Sequence, residues 1–230
     1  MLSENDSAET ACNFRISKAW GAYFMHRRLL CSRRHALCRR LKVFMSVILA
    51  TVMWGLEVFC LTEQQRRRLT VTQITIVSRM MRLPRSLYDT WLEWHIARRR
   101  RARAYLQRLH VSFWGHQQVF RYFHFAGHVA RMSEDRLCKC SARWRCMIWW
   151  RTVQALVTSG GGGHPDRHRR IGVKPNRWEK LLEKFQNALI SESATEQLTY
   201  RPHPTTWWDV ATDRDMWRAR VVQFVGSLRW

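Results

Sequence analysis

Acidic side chains are scarce in this 230-residue chain, where 17 Asp+Glu stand against 40 Lys+Arg. No two aspartates are adjacent anywhere in it. Two-metal nucleotidyl transfer needs carboxylates clustered on a rigid element to hold Mg²⁺, so an autonomous polymerase is not expected. The densest acidic group, Asp209, Asp213 and Asp215, falls near expected helix starts, where carboxylates complement the positive end of the helix dipole. Also missing are GxxxxGK[ST], GxGxxG, GxSxG and HExxH, and with them the usual phosphate cradle, activated serine and zinc-protease pair. The expectation is a protein with no enzymatic activity, no catalytic residue, no cofactor and no small-molecule substrate.

A long apolar run is lacking too. The main apolar stretch without a charge, "VFMSVILATVMWGL", covers 14 residues from Val43 to Leu56 and is followed by Glu57. A bilayer span needs about 20 apolar residues, so a buried core helix is the better reading. The alternative is a small membrane-anchored basic protein using residues 43–61, with the preceding arginines on the cytoplasmic side. The N-terminus "MLSENDSAET" is polar and acidic and has no signal-peptide pattern. The seven cysteines are odd in number, which points to a reducing, intracellular compartment. Cys138, Cys140 and Cys146 can be drawn as a zinc site with His128 or His164, but one residue separates the first pair instead of the two to four of zinc knuckles. No metal site is assigned.

What the chain has is positive charge, a formal +23 dominated by arginine. Self-repulsion on that scale favours an anionic partner, and the planar guanidinium matches phosphate oxygens in pairs. Nucleic acid is therefore the expected partner, gripped by its backbone without sequence preference. The 13 tryptophans and a hydrophobic content of 46% exceed what a disordered basic tail carries, so a Trp-rich helical core is expected.

Four segments follow from composition: a disordered N-terminus over 1–15, a helical domain over 16–157, a flexible Gly-rich basic linker over 158–175 ("TSGGGGHPDRHRRIGVKP"), and a small helical tail over 176–230. The expected fold is mainly α, a helical bundle. Thr62 with Gln65 forms a capping-box pattern, and Leu69, Gln73, Ile76, Met80 and Leu83 share one face of a helix ending at Pro84. The next helix carries Leu92, Ile96, Ala102, Leu106 and Leu109 as its core stripe. Arg98, Arg99, Arg100 and Arg101 sweep about 300° around it, so at least one must run past packed neighbours. In the tail, Asn176 caps the stripe Trp178, Leu181, Leu182, Phe185 and Leu189, and Trp217, Val221, Phe224, Val225 and Leu228 mark a further amphipathic helix. In "FAGHVARM", His128 reads as a tightly packed side chain, with Gly127 allowing another backbone to approach.

Taken in order, these stretches resemble the region after the polymerase palm in reverse transcriptases of non-LTR (LINE-type) retrotransposons. The apolar run ending in Trp54-Gly55 and leading to a Leu-Thr turn and an Arg-rich helix is similar to the start of that region. The sequence Gly127-His128-Val129-Ala130-Arg131 resembles a Gly-His-Val-Ala-Arg motif further on, and the helices carrying Trp178 and Trp217 are similar to Arg-Trp-Glu and Asp-Arg-x-x-Trp helices of the C-terminal part. The match runs over about residues 16–230. It implies a thumb-like unit that grips the template–primer duplex, with the catalytic palm and endonuclease upstream of Met1 and those polymerase domains as further partners. "RRIGVKPNRW" departs from the family's Gly-Arg-Pro run, as a degenerate or partial copy would. The candidate contacts are Arg66, Arg67, Arg68, Arg98, Arg99, Arg100, Arg101, Arg169, Arg170, Lys174 and Arg177. "RRRRAR" also matches a nuclear-import patch, and a nuclear location is expected.

Overall fold

The structure is a computed structural model that describes residues 4–140, 142, 180–196 and 207–228. Every regular element among the described residues is helical. Two compact units are present, one running to Tyr122 and the other covering Phe123–Leu228.

The first unit begins with α1 (Glu4–Met25). Its start lies inside the stretch 1–15 expected to be disordered, and the reason is a spaced set of small or aromatic residues. Ala8, Cys12, Ala19 and Tyr23 are all buried, at intervals that return to one helix face. The short α2 (Arg27–Leu30) and then α3 (Leu37–Val43) follow, and α3 continues through a π-helical turn, Phe44–Leu49, into α4 (Ala50–Met53). The uncharged stretch thus forms a core helix: Phe44, Ile48, Leu49, Val52 and Met53 are buried, as is Leu56 in the turn beyond. Among the described residues no helix is long and apolar enough to cross a membrane.

Gly55 ends this helix with φ +73, a left-handed conformation that glycine adopts without a Cβ penalty. The helix α5 (Glu63–Met81) opens with the expected capping box, in which the Gln65 amide donates to Thr62 Oγ1 at 3.2 Å and the Thr62 amide donates to Gln65 Oε1 at 2.8 Å. Leu69, Gln73, Ile76 and Met80 are buried as their spacing requires. The β-branched residues of "TVTQITIV" are accommodated within it, Thr72 and Thr75 donating their hydroxyls back to the carbonyls of Arg68 and Val71 at 2.9 and 2.7 Å. The helix stops at Met81, short of Pro84, because Arg82 takes a left-handed φ of +50.

The helices α6 (Trp91–Arg108) and α7 (Trp114–Ala130) follow. A second capping box, Thr90 with Glu93, fixes the start of α6. Its core stripe differs from the expected one: Leu92 is 60% exposed, Ile96 43% and Leu109 39%, while Ala102 and Leu106 are fully buried. Ile96 and Ala102 are six residues apart, which leaves them about 120° out of phase on a helix. The inward positions are instead the half-buried Trp94 and Arg98 and the buried Ala102 and Leu106, a regular four-residue spacing. At the start of α7, the Trp114 ring stacks on Phe44 at 5.7 Å and its amide donates to Gln73 Oε1 at 2.8 Å.

The second unit assembles the end of α7 with α8 (Lys180–Glu196), α9 (Trp207–Thr212) and α10 (Arg214–Ser227). Its core is aromatic: Phe123 lies 5.2 Å from Phe185, 6.0 Å from Trp217 and 5.5 Å from Phe224, centroid to centroid. The linker expected over 158–175 lies outside the described residues. By its contacts the chain divides after Tyr122, where Phe123 joins the core of the later helices. Leu181, Leu182, Trp217, Val221 and Val225 are buried as their stripes predict. Asp213 is the N-cap of α10, accepting from the Asp215 and Met216 amides at 2.9 and 3.0 Å. Asn176 and Trp178 lie outside the described residues.

Candidate nucleic-acid interface

On α6 the four consecutive arginines divide by geometry. Arg98 faces inward, with its guanidinium carbon 4.5 Å from the Trp94 ring centre and its buried Nε without a hydrogen-bond partner. Burial, then the neighbouring charges of Arg79 and Arg99, pull its pKa below the usual guanidinium value. Arg99, Arg100, Arg101 and Arg103 are exposed. At 100° per residue, Arg99, Arg100 and Arg103 fall within about 100° of one another, and Arg101 lies about 100° beyond Arg100. The edge formed by the first three carries no ion pair among the described residues. His95, stacked on Trp91 at 4.7 Å, has its pKa lowered by burial and then by Arg99 and Arg98.

Arg66, Arg67 and Arg68 do not form a second strip. Arg66 is buried and donates to the Leu61 carbonyl, and burial lowers its pKa. Arg67 pairs with Glu63 one turn earlier, while Arg68 reaches Glu9 at 3.4 Å and Asn13 on α1. Arg67 and Arg68 are exposed but already paired, and of the three only Arg68 links two helices. Arg169, Arg170, Lys174 and Arg177 lie outside the described residues.

The motif residues have distinct surroundings. Trp54 is 71% exposed, with the Arg15 guanidinium 4.7 Å from its ring centre. Gly127 is pressed against the Trp217 indole: a Cβ there would stand 2.3 Å from Trp217 Nε1. That nitrogen donates to the Phe123 carbonyl at 3.0 Å. The close neighbour of Gly127 is thus a side chain and not a backbone. His128 is exposed, contrary to the tightly packed histidine expected, because the inward positions of α7 here are Phe123, Ala126, Gly127 and Ala130 and one more residue rotates the next position outward. Arg131 Nη1 donates to the Ala211 carbonyl at 2.6 Å, tying the end of α7 to α9. Burial and then Arg214 lower its pKa.

Among the described residues no group of three His, Cys, Asp or Glu could hold a metal. Cys138 and Cys140 are exposed, and Cys140 Sγ donates to the Glu134 carbonyl at 3.1 Å. Cys146 and His164 lie outside the described residues.

One feature escapes sequence reasoning altogether. Arg27, Arg28, Arg79, Arg82 and Arg98 line a single cleft of about 780 Å³. They come from α2, the end of α5 with its C-cap, and the middle of α6, and only Arg98 belongs to a conspicuous run. Convergence of this kind depends on how the helices pack, and no local spacing encodes it. Family models, curated proteins and solved structures were each compared with the chain, and none of them matches it.

Proposed function

We propose that this chain binds nucleic acid without catalysing its chemistry, as the thumb-like region of a retroelement reverse transcriptase would, and that it grips the phosphate backbone with little regard to sequence. The observation that carries the reading is the exposed arginine edge of α6, Arg99, Arg100 and Arg103, on a rigid helix whose other side is anchored by Ala102 and Leu106. Guanidinium groups spaced along such an edge can pair with successive phosphates through their planar donor forks. The excess of 40 Lys+Arg over 17 Asp+Glu supplies the long-range attraction.

Duplex binding followed by fluorescence anisotropy over a salt series tests it. Replacing Arg99, Arg100 and Arg103 with serine is expected to weaken binding for all sequences alike and to flatten the plot of log affinity against log salt by about 0.9 for each phosphate no longer neutralised. Wild-type binding indifferent to salt, or unchanged in this variant, would overturn the reading.

A further inference from the structure

The cleft lined by Arg27, Arg28, Arg79, Arg82 and Arg98 lies apart from the α6 edge in character, being recessed and part aromatic. No carboxylate lines it, and among the described residues none of the five arginines pairs with an acid. One explanation for such crowding is that arginines cap the helix ends gathered there. Arg40 does so fully, donating from Nη1 to the Leu30 carbonyl at 2.8 Å and to the Met80 carbonyl at 2.7 Å. Arg82 contributes one longer bond, 3.3 Å to the Cys31 carbonyl. Capping leaves Arg27, Arg28, Arg79 and Arg98 unexplained.

Two of these are held in place by aromatic faces. Arg79 lies 4.7 Å from the centre of the Trp20 ring and Arg98 4.5 Å from that of Trp94, which fixes cations without neutralising them. Arg82 adds an independent signal. It is a non-glycine residue with φ +50 at a helix C-terminus, where glycine is the least strained choice. An arginine held there at a cost in strain is explained if its side chain is needed in the cleft. Phe24 also lines the cleft and is 54% exposed, its ring braced by Tyr23 at 5.3 Å and Trp20 at 6.0 Å.

We infer that this cleft takes a single-stranded segment of nucleic acid, its phosphates on the arginines and an unpaired base stacked on Phe24. The inference rests on the nucleic-acid reading above. The volume is that of a site for a small molecule, roughly 300–1,000 Å³, which suits one or two nucleotides and not a duplex. Stacking also requires an unpaired base, and it tolerates any of the four because each has a π-face.

The test uses the full chain with a labelled oligothymidylate and a labelled blunt duplex. Arg27→Ser with Arg28→Ser, Arg82→Gly, and Phe24→Leu are compared with the wild type. Each is expected to weaken oligothymidylate binding by about tenfold, the order of a single base stack or phosphate pairing, while duplex binding stays close to wild type. Arg82→Gly is the decisive variant, because relief of the left-handed strain should leave its thermal midpoint unchanged or raised, so that unfolding does not account for weaker binding. Intact duplex binding with oligothymidylate affinity unaltered in all three variants would overturn the cleft alone. Equal losses on both ligands would overturn it as a separate site. Pyrophosphate or ATP competing as tightly as the oligothymidylate would replace the strand with a free oligophosphate. Wild-type protein that bound neither nucleic acid would overturn the broader reading together with this one.

Discussion

Gly127 and Trp217 show how much a single hydrogen atom can decide. The indole sits where a methyl group would stand, 2.3 Å from its nitrogen, and it is fixed there by its bond to the Phe123 carbonyl. Gly127→Ala is expected to destabilise the second unit by about 1–3 kcal/mol, the usual cost of overpacking a close contact. The check is thermal unfolding followed by tryptophan fluorescence; a midpoint equal to that of the wild type would contradict the packing. A conservative change at the exposed His128 should leave that midpoint in place. In the sequence Gly127 is legible as a point of close approach, but the adjacent histidine reads as core. Helix phase, which a five-residue motif does not define, separates the two.

Cys12 provides a second residue-scale expectation. Burial pushes its thiol from 9.0 up to about 11, with Arg68 opposing and Glu9 adding to the shift. The unfolded chain therefore releases this proton at a lower pH than the folded chain, so the stabilising contribution is complete below about pH 9 and declines as pH rises towards 11. Tyr23, raised to about 12 by burial and by its hydrogen bond to Cys31, acts in the same direction at higher pH. Denaturant midpoints should fall between pH 9 and 11, and Cys12→Ala should make that fall shallower. A thiol reagent at about pH 8 should label the exposed Cys38, Cys138 and Cys140 well before the buried Cys12.

At the scale of elements, local chemistry was the legible part. The capping box of Thr62 and Gln65 and the stripe Leu69, Gln73, Ile76 and Met80 are plain in the sequence because caps and helical spacing are set by near neighbours. Thr62→Ala should therefore cost about 1 kcal/mol, measured by urea denaturation; a loss near zero would mean that the box contributes little beyond its geometry. The start of α1 was not legible, because Ala8 and Cys12 are weak apolar signals that gain meaning only when a neighbouring helix covers them. Nor was the inward face of α6. There the pattern of large apolar residues pointed to Leu92 and Ile96, whereas packing selected Trp94, Arg98 and Ala102, a face whose central member is charged. Arg98 fits because its stem packs and its cation finds an aromatic ring, a solution that hydrophobic counting passes over.

For the whole molecule, one property should act in opposite directions on folding and on binding. A formal charge of +23 repels itself in the compact state, and at the low ionic strength of about 0.01 M that repulsion reaches about 30 Å, against about 8 Å at 0.15 M. Added salt should therefore raise the thermal midpoint of the free protein, since the unfolded chain spreads the same charges farther apart. It should also lower affinity for duplex, because counterions compete for the phosphates. A polyanion should also stabilise the fold at low salt, because it meets a denser array of arginines in the native state than in the unfolded chain. The measurement pairs thermal melts with duplex titrations across one salt series. If salt lowered the midpoint, the exposed arginines would already have partners within the chain, and both the α6 edge and the cleft would lose the free charge on which their proposed roles depend.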